Sequence, residues 1–449
     1  MNNEDDLLEV VRAASRSLAG ADDVQAIVDL VGEARVVLLG EATHGSHEFY
    51  RLRTEITKRL VHDRGFDAVA VETDWTDALR VSRYVQGGTD DASAIDALAA
   101  FECFPRWVWR NAEAVELIEW LRAYNETIPD LAARVGFFGL DLYRLRASMA
   151  AVVRCLDRSD PPAAQRARSR YACFDNFGDD PQHYGYATSL GLSGHCETEV
   201  LRRLTAQCAD IDGCLRHDGI ASGDELFYAQ QKARLVRNAE PYYRVLYQGR
   251  TDSWNERDTH MADTLDALQA HLGRRRGARG KVVVWAHNSH IGDARATIWS
   301  ERGQLNLGQL TRQRAHHTGE IFLLGFTTHV GTVAAAPDWE APVERMTLRP
   351  SRHASIERVL HESGPGLFLL PLRGDRRLHA TMPGGRLERA IGLIYRPETE
   401  LISHYFRVML TRQFDALVHV DRSSAVHPLD APDDWGADGA EGETLPTGL

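Results

Sequence analysis

Two apolar runs far apart in the chain each lead straight into a cluster of ionisable residues. The first, Ala34-Arg35-Val36-Val37-Leu38-Leu39-Gly40, continues as Glu41-Ala42-Thr43-His44-Gly45-Ser46-His47-Glu48. The second, Lys281-Val282-Val283-Val284-Trp285-Ala286, continues as His287-Asn288-Ser289-His290. An unbroken Val/Leu run bounded by a turn is the pattern of a strand buried on both faces, which belongs to a parallel sheet covered by helices. In such sheets functional groups sit in the crevice beyond the carboxyl ends of the strands.

Three further runs end the same way. Val69-Ala70-Val71 stops at Glu72-Thr73-Asp74, Phe137-Phe138-Gly139-Leu140 at Asp141, and Phe322-Leu323-Leu324-Gly325-Phe326 at Thr327-Thr328-His329. Ordinary solvating residues (Glu33, Arg35, Asp67, Lys281) mark the amino-terminal sides. The fold class expected is therefore α/β, with a mostly parallel central sheet flanked by helices and one polar pocket at its carboxyl edge. The alternative is that some of these polar residues are only strand-to-helix caps.

Amphipathic helix patterns cover 6–19 (Leu7, Leu8, Val11, Ala14, Leu18) and 112–124. Ser46 is placed to cap a helix over about 47–61. Between 143 and 250 the strand signal disappears, and a helical insertion is expected to cover the cleft. Its aromatic loops carry Phe174, Phe177, Tyr184 and Tyr186, candidates for contact with substrate or for internal packing. The chain thus divides into a first part of the α/β core (1–142), the insertion (143–250), a second part of the core (251–429) and an acidic, Gly- and Pro-containing tail (430–449) expected to be disordered.

With 449 residues and 43% hydrophobic content the chain can bury a large core. Its net charge of −12 disfavours nucleic acid, which requires a basic stripe; Arg274-Arg275-Arg276 reads as a solvated connection. The six cysteines (Cys103, Cys155, Cys173, Cys196, Cys208, Cys214) include no Cys-x-x-Cys pair. No apolar run approaches the ~18 residues of a membrane span. Met1-Asn2-Asn3-Glu4-Asp5-Asp6 is acidic where a secretory leader is basic. A reduced, cytoplasmic, monomeric protein without a membrane or nucleic-acid partner is expected, acting on a small molecule.

His44, in a Gly-flanked turn three residues after Glu41, has the setting of a carboxylate-oriented general base. Arg257 lies on the apolar face formed with Met261, Leu265 and Leu268, so its charge needs a carboxylate, for which Glu72 and Glu41 are the candidates, or an anionic reaction centre. Ser253-x-x-Glu256 is a capping box that would start this helix near Trp254. His44, His47, His287 and His290 invite a metal, but no His-Glu-x-x-His helix is present, and Arg257 disfavours a cation. Neither a Gly-x-Ser-x-Gly elbow nor a phosphate-binding glycine loop occurs. Acid/base chemistry by His, Glu and Arg remains, with no metal and no cofactor.

Several long motifs resemble the erythromycin esterase-like proteins, a family also labelled succinoglycan-biosynthesis-type. They are Gly40-Glu41-Ala42-Thr43-His44-Gly45-Ser46-His47-Glu48-Phe49, Val71-Glu72-Thr73-Asp74-Trp75, Phe104-Pro105-Arg106-Trp107-Val108-Trp109-Arg110 and Gly136-Phe137-Phe138-Gly139-Leu140-Asp141. Ser253-Trp254-Asn255-Glu256-Arg257-Asp258, Trp285-Ala286-His287-Asn288-Ser289-His290 and Phe414-Asp415-Ala416-Leu417-Val418-His419 extend the likeness over nearly the whole chain. The resemblance implies metal- and cofactor-free hydrolysis of a macrolide lactone ester, with the base at His44 and supporting residues at Glu41, Arg53, Glu72, Arg257 and His287. Catalytic roles are thus expected for His44, Glu72, Glu41, Arg257 and His287. Arg53, His290, Asp141, Phe177 and Tyr184 are expected to bind a bulky apolar natural product. Ring closure, transesterification or ring opening with the same groups, and simple binding of a polyketide or metal, are the rival readings.

Overall fold

The computed structural model describes residues 3–18, 23–102, 104–142, 250–277, 279–317, 319–382 and 384–431, with the separate positions 165, 227, 228, 230–232, 234, 235, 238 and 435. Helix α1 (Asn3–Ala14), the short strand β1 (Arg16–Ser17) and α2 (Gln25–Val31) precede the first apolar run, which forms β2 (Val36–Leu39). Then follow α3 (His47–Arg64), β3 (Ala68–Asp74), α4 (Trp75–Gln86), α5 (Ala112–Glu126) and β4 (Gly136–Asp141). The second half contains α6 (Arg250–Arg276), β5 (Val282–Trp285), the one-turn α7 (Asn288–Ile291), α8 (Leu307–Arg314), β6 (Ile321–Ala335) and β7 (Glu344–Leu348). It ends with α9 (Ile356–Ser363), β8 (Leu367–Pro371), β9 (Arg386–Arg389), β10 (Tyr405–Val408) and β11 (Ala416–Ser423).

Local chemistry sets several of these boundaries. The Asp74 carboxylate caps α4 by accepting from Thr76 N–H, and Asn111 caps α5 by accepting from Ala114 N–H. Helix α3 stops at Gly65, whose left-handed φ of 64° lets its N–H return to Leu60 O.

Among the described residues nine strands make the main sheet, in the order β1-β8-β11-β6-β2-β5-β3-β4, with β7 attached to β6. The run from β11 to β4 is parallel, and β8, β1 and β7 join antiparallel. Strand β5, from the second half of the chain, lies between β2 and β3. Both halves of the core therefore share one sheet, and the carboxyl ends of β2, β5, β3 and β4 are four consecutive neighbours.

The pleat sends alternate residues into two layers. Val36 and Leu38 of β2 pack with Met261, Leu265 and Leu268 of α6, while Val37 and Leu39 pack with Leu52, Ile56 and Leu60 of α3 and Leu117 and Leu121 of α5. All four β2 residues are fully buried, each contributing roughly 1.5–3 kcal/mol by transfer from water.

Some expectations differ from the structure. Helix α6 already runs at Arg250, so Ser253 lies inside it and the capping-box pattern marks no start. Strand β9 pairs with β10 in a separate two-stranded sheet, its Arg386-Leu387-Glu388-Arg389 sequence suiting an antiparallel ribbon rather than the apolar parallel core. The acidic end is packed where it begins: Asp430 accepts from Arg110 Nε and Nη2, both at 3.0 Å, and Trp435 donates to Val426 O. The cap expected over 143–250, with Phe174, Phe177, Tyr184 and Tyr186, lies outside the described residues apart from the separate positions named above, as does most of the tail.

Candidate active site

The turn after β2 is closed on two sides, by the one-turn α7 and by β6. A Cβ on Gly40 would lie 2.1 Å from Asn288 Oδ1, and one on Gly45 would lie 1.9 Å from Ala334 O. Only glycine fits either position, and the turn between them presents His44. Its Nδ1–H donates to Glu41 Oε1 (2.9 Å), and Arg53 Nη2 donates to Glu41 Oε2 (2.5 Å). Arg53 comes from α3, is buried, and stacks its guanidinium over Trp285 and Tyr50. Burial raises the Glu41 pKa, but the Arg53 charge and the His44 hydrogen bond outweigh it and hold it below the ordinary value. A carboxylate can only accept, so Nδ1 carries the proton and His44 Nε2 is left as the basic nitrogen.

His287, at the end of β5, has the opposite arrangement. Its Nδ1 accepts from Ser289 N–H (3.2 Å) and lies 2.8 Å from Ser289 Oγ. Burial, followed by repulsion from His44, pushes its pKa down to about 3, so the ring is neutral and Nε2 carries the hydrogen. That Nε2 is buried with no hydrogen-bond partner among the described residues. The two rings are neighbours, with centroids 5.0 Å apart and planes tilted by 46°.

A third group arises where β3 and β4 meet α6. Arg257 Nε and Nη2 donate to Asp141, the shortest contact being 2.6 Å, and Nη2 also donates to Glu72 Oε1 (2.7 Å). His290 donates from Nδ1 to Asp258 (3.0 Å) and from Nε2 towards Glu72 Oε1 (3.2 Å), with its ring stacked on Trp254 at 4.5 Å. Burial disfavours a charged His290, but Asp258 and Glu72 reverse that and raise its pKa to about 9. The 3.1 Å approach of Arg257 Nη1 to His290 Nε2 is then a contact between two donors sharing Glu72. Burial raises the Glu72 pKa, yet His290 and Arg257 hold it well below the carboxylate range. Its other oxygen, Oε2, accepts from His287 N–H at 2.8 Å.

The structure thus gathers His44, Glu41, Arg53, Glu72, Arg257, His287, His290 and Asp141 at one sheet edge. Four placements differ in detail from the sequence reading. Arg257 takes Asp141 rather than Glu41 as its second carboxylate, because Glu41 is already held by Arg53. Asp141 is fully buried beneath Arg257, and Arg53 is buried beneath Glu41, so both lie behind the residues they hold instead of on an open binding surface. His47 turns away to Glu113 of α5. Among the described residues no group of three or more His, Cys, Asp or Glu side chains is arranged to hold a metal ion. Phe177 and Tyr184 lie outside the described residues. Trp254, Asp258 and Ser289 were not singled out from sequence, although Trp254 and Asp258 share a helix face by their i, i+4 spacing.

The erythromycin esterase family model matches residues 61–423. The chain belongs to the erythromycin esterase family. The family is one of ester-bond hydrolases, and its matched span includes Glu72, Asp141, Arg257, His287 and His290, with Glu41, His44 and Arg53 preceding it. The chain is 25% identical over 422 residues to an erythromycin esterase type II of Escherichia coli, covering 90% of this chain and 93% of that protein. In fold it resembles a Bacillus cereus protein (TM-score 0.77, 18% identity, 95% of this chain and 100% of that one). It also resembles a succinoglycan biosynthesis protein (TM-score 0.73, 21% identity, 94% and 98%). An erythromycin esterase mutant in its open conformation shares the erythromycin esterase fold as well (TM-score 0.67, 18% identity, 91% and 96%). Among the described residues no helix is long and apolar enough to cross a membrane.

Proposed function

We propose that this family member hydrolyses an ester or lactone of a bulky, macrolide- or polyketide-like substrate, with His44 as general base. His44 Nε2 takes a proton from a water molecule while Glu41 stabilises the imidazolium through Nδ1–H. The hydroxide attacks the carbonyl carbon. His287 Nε2–H donates to the oxyanion, a contribution of about 3–4 kcal/mol for one well-placed donor. The tetrahedral intermediate collapses, the carbon–oxygen ester bond breaks, and the proton on His44 Nε2 passes to the departing alkoxide. Arg257 and His290 act behind this pair by fixing Glu72, whose carboxylate holds the His287 backbone.

The observation carrying this reading is the opposite partner at Nδ1 of two adjacent histidines, a carboxylate for His44 and a backbone N–H for His287, which leaves a lone pair on one Nε2 and a hydrogen on the other. The name of the Escherichia coli relative supports the macrolide class. Turnover of a macrolide lactone in ¹⁸O-labelled water tests it. The opened acid is expected to carry one labelled oxygen. A product without label would replace hydrolysis by ring closure or transesterification on the same groups.

A further inference from the structure

A carboxyl group that these steps do not use lies beneath the catalytic turns. Glu388 of β9 is fully buried, and its Oε1 accepts from Asn288 Nδ2 at 3.2 Å. Its Oε2 lacks a partner of good hydrogen-bond geometry among the described residues, and the Gln413 and Asn288 side chains are the polar groups that approach the carboxyl. A fully buried carboxylate without a cation bonded to it is costly, and protonation removes that cost.

Asn288 gives this carboxyl its reach. It follows His287 directly and is fully buried. Its N–H donates to Glu41 O (2.8 Å), its Nδ2 to Phe326 O (2.7 Å), and its Oδ1 accepts from Phe326 N–H (3.3 Å). The same Oδ1 fills the space that makes Gly40 obligatory. Asn288 therefore ties the exits of β2 and β5, from which His44 and His287 project, to the middle of β6.

We propose that Glu388 is a positioning residue, kept protonated, which holds Asn288 and through it the His287 ring in the geometry that ester hydrolysis needs. The inference rests on the esterase reading above. The charged neighbours are consistent with it. Burial raises the Glu388 pKa to about 8, with the Glu357 carboxylate of α9 adding to the rise; together they outweigh the lowering by hydrogen bonds from Gln413 and Asn288. Arg389, next on β9, directs Nη1 to Arg349 O and Glu400 and Nη2 to Thr328 O and His329 O. No cation is bonded to Glu388 among the described residues, so ionisation would leave an uncompensated charge against the Asn288 staple.

The test follows kcat for p-nitrophenyl butyrate against pH in the wild type and in Glu388→Gln, whose amide imitates the neutral acid. The wild type is expected to lose activity above about 8, approaching tenfold per pH unit, and Glu388→Gln to lose that limb while keeping its neutral-pH kcat. An unchanged limb in the variant overturns the proposal. A second readout needs no turnover: the ¹⁵N–¹H signal of the His287 ring, assigned by its loss in His287→Ala. It is expected to shift as the wild type passes about 8, and a signal constant through that range overturns the proposal even if the variant fails to fold. If no ester is turned over at any pH the esterase reading fails, and the His287 signal alone decides the role of Glu388.

Discussion

The backbone N–H of His287 donates to Glu72 Oε2 at 2.8 Å, tying the end of β5 to the end of β3. The residue that presents a neutral imidazole beside His44 is thereby anchored to the carboxylate that Arg257 and His290 hold. Loss of a partner behind Glu72 is expected to reach the reaction through this bond.

His44→Ala is expected to lower kcat by at least about 100-fold, the contribution of a positioned general base. His287→Ala removes one oxyanion donor and is expected to cost about 10²–10³ in kcat. Rates for a macrolide lactone, with thermal unfolding as the control for folding, check both. A His44→Ala enzyme retaining a tenth of its kcat would assign the base elsewhere.

Arg53→Ala leaves the Glu41 carboxylate buried without its cation. Breaking a buried pair from one side destabilises by about 3–5 kcal/mol, so chemical denaturation should show a loss of that order together with a fall in kcat. A loss below about 1 kcal/mol would mean that water reaches Glu41 freely.

Arg257→Lys is expected to be nearly as damaging as Arg257→Ala. The guanidinium meets Asp141 and Glu72 along two edges at once, a fork that an ammonium point charge cannot reproduce. Comparison of kcat for the two variants checks this; a Lys variant near wild-type kcat would reduce the role of Arg257 to its charge.

The charged His290 gives a pH signature in stability. Its pKa is raised in the fold from 6.5 to about 9, so its stabilisation is complete below about 6.5 and is lost as pH rises through about 9. The Tm difference between wild type and His290→Gln should shrink across that window. A difference independent of pH would indicate that His290 is neutral in the folded protein.

How much was legible in the sequence depended on how local each relation is. Glu41 and His44 lie three residues apart in one turn, so their pairing followed from chain geometry, and the Val/Leu runs of β2 and β5 announced buried parallel strands ending in polar clusters. Arg257 on an apolar helix face signalled a buried cation in need of a carboxylate. Which carboxylate was a matter of strand order: β4 lies next to β3, bringing Asp141 beside Glu72, while Arg53 reaches Glu41 first. The tautomers of His44 and His287 were likewise invisible in one dimension. Each is set by what lies against Nδ1, a carboxylate in one case and a backbone N–H in the other. The sequence by itself determined the strands, the sheet edge and the residue types available there. Tertiary structure alone decided the partners, because insertion of β5 between β2 and β3 makes neighbours of groups separated by most of the chain, and burial then fixes which of them carry protons.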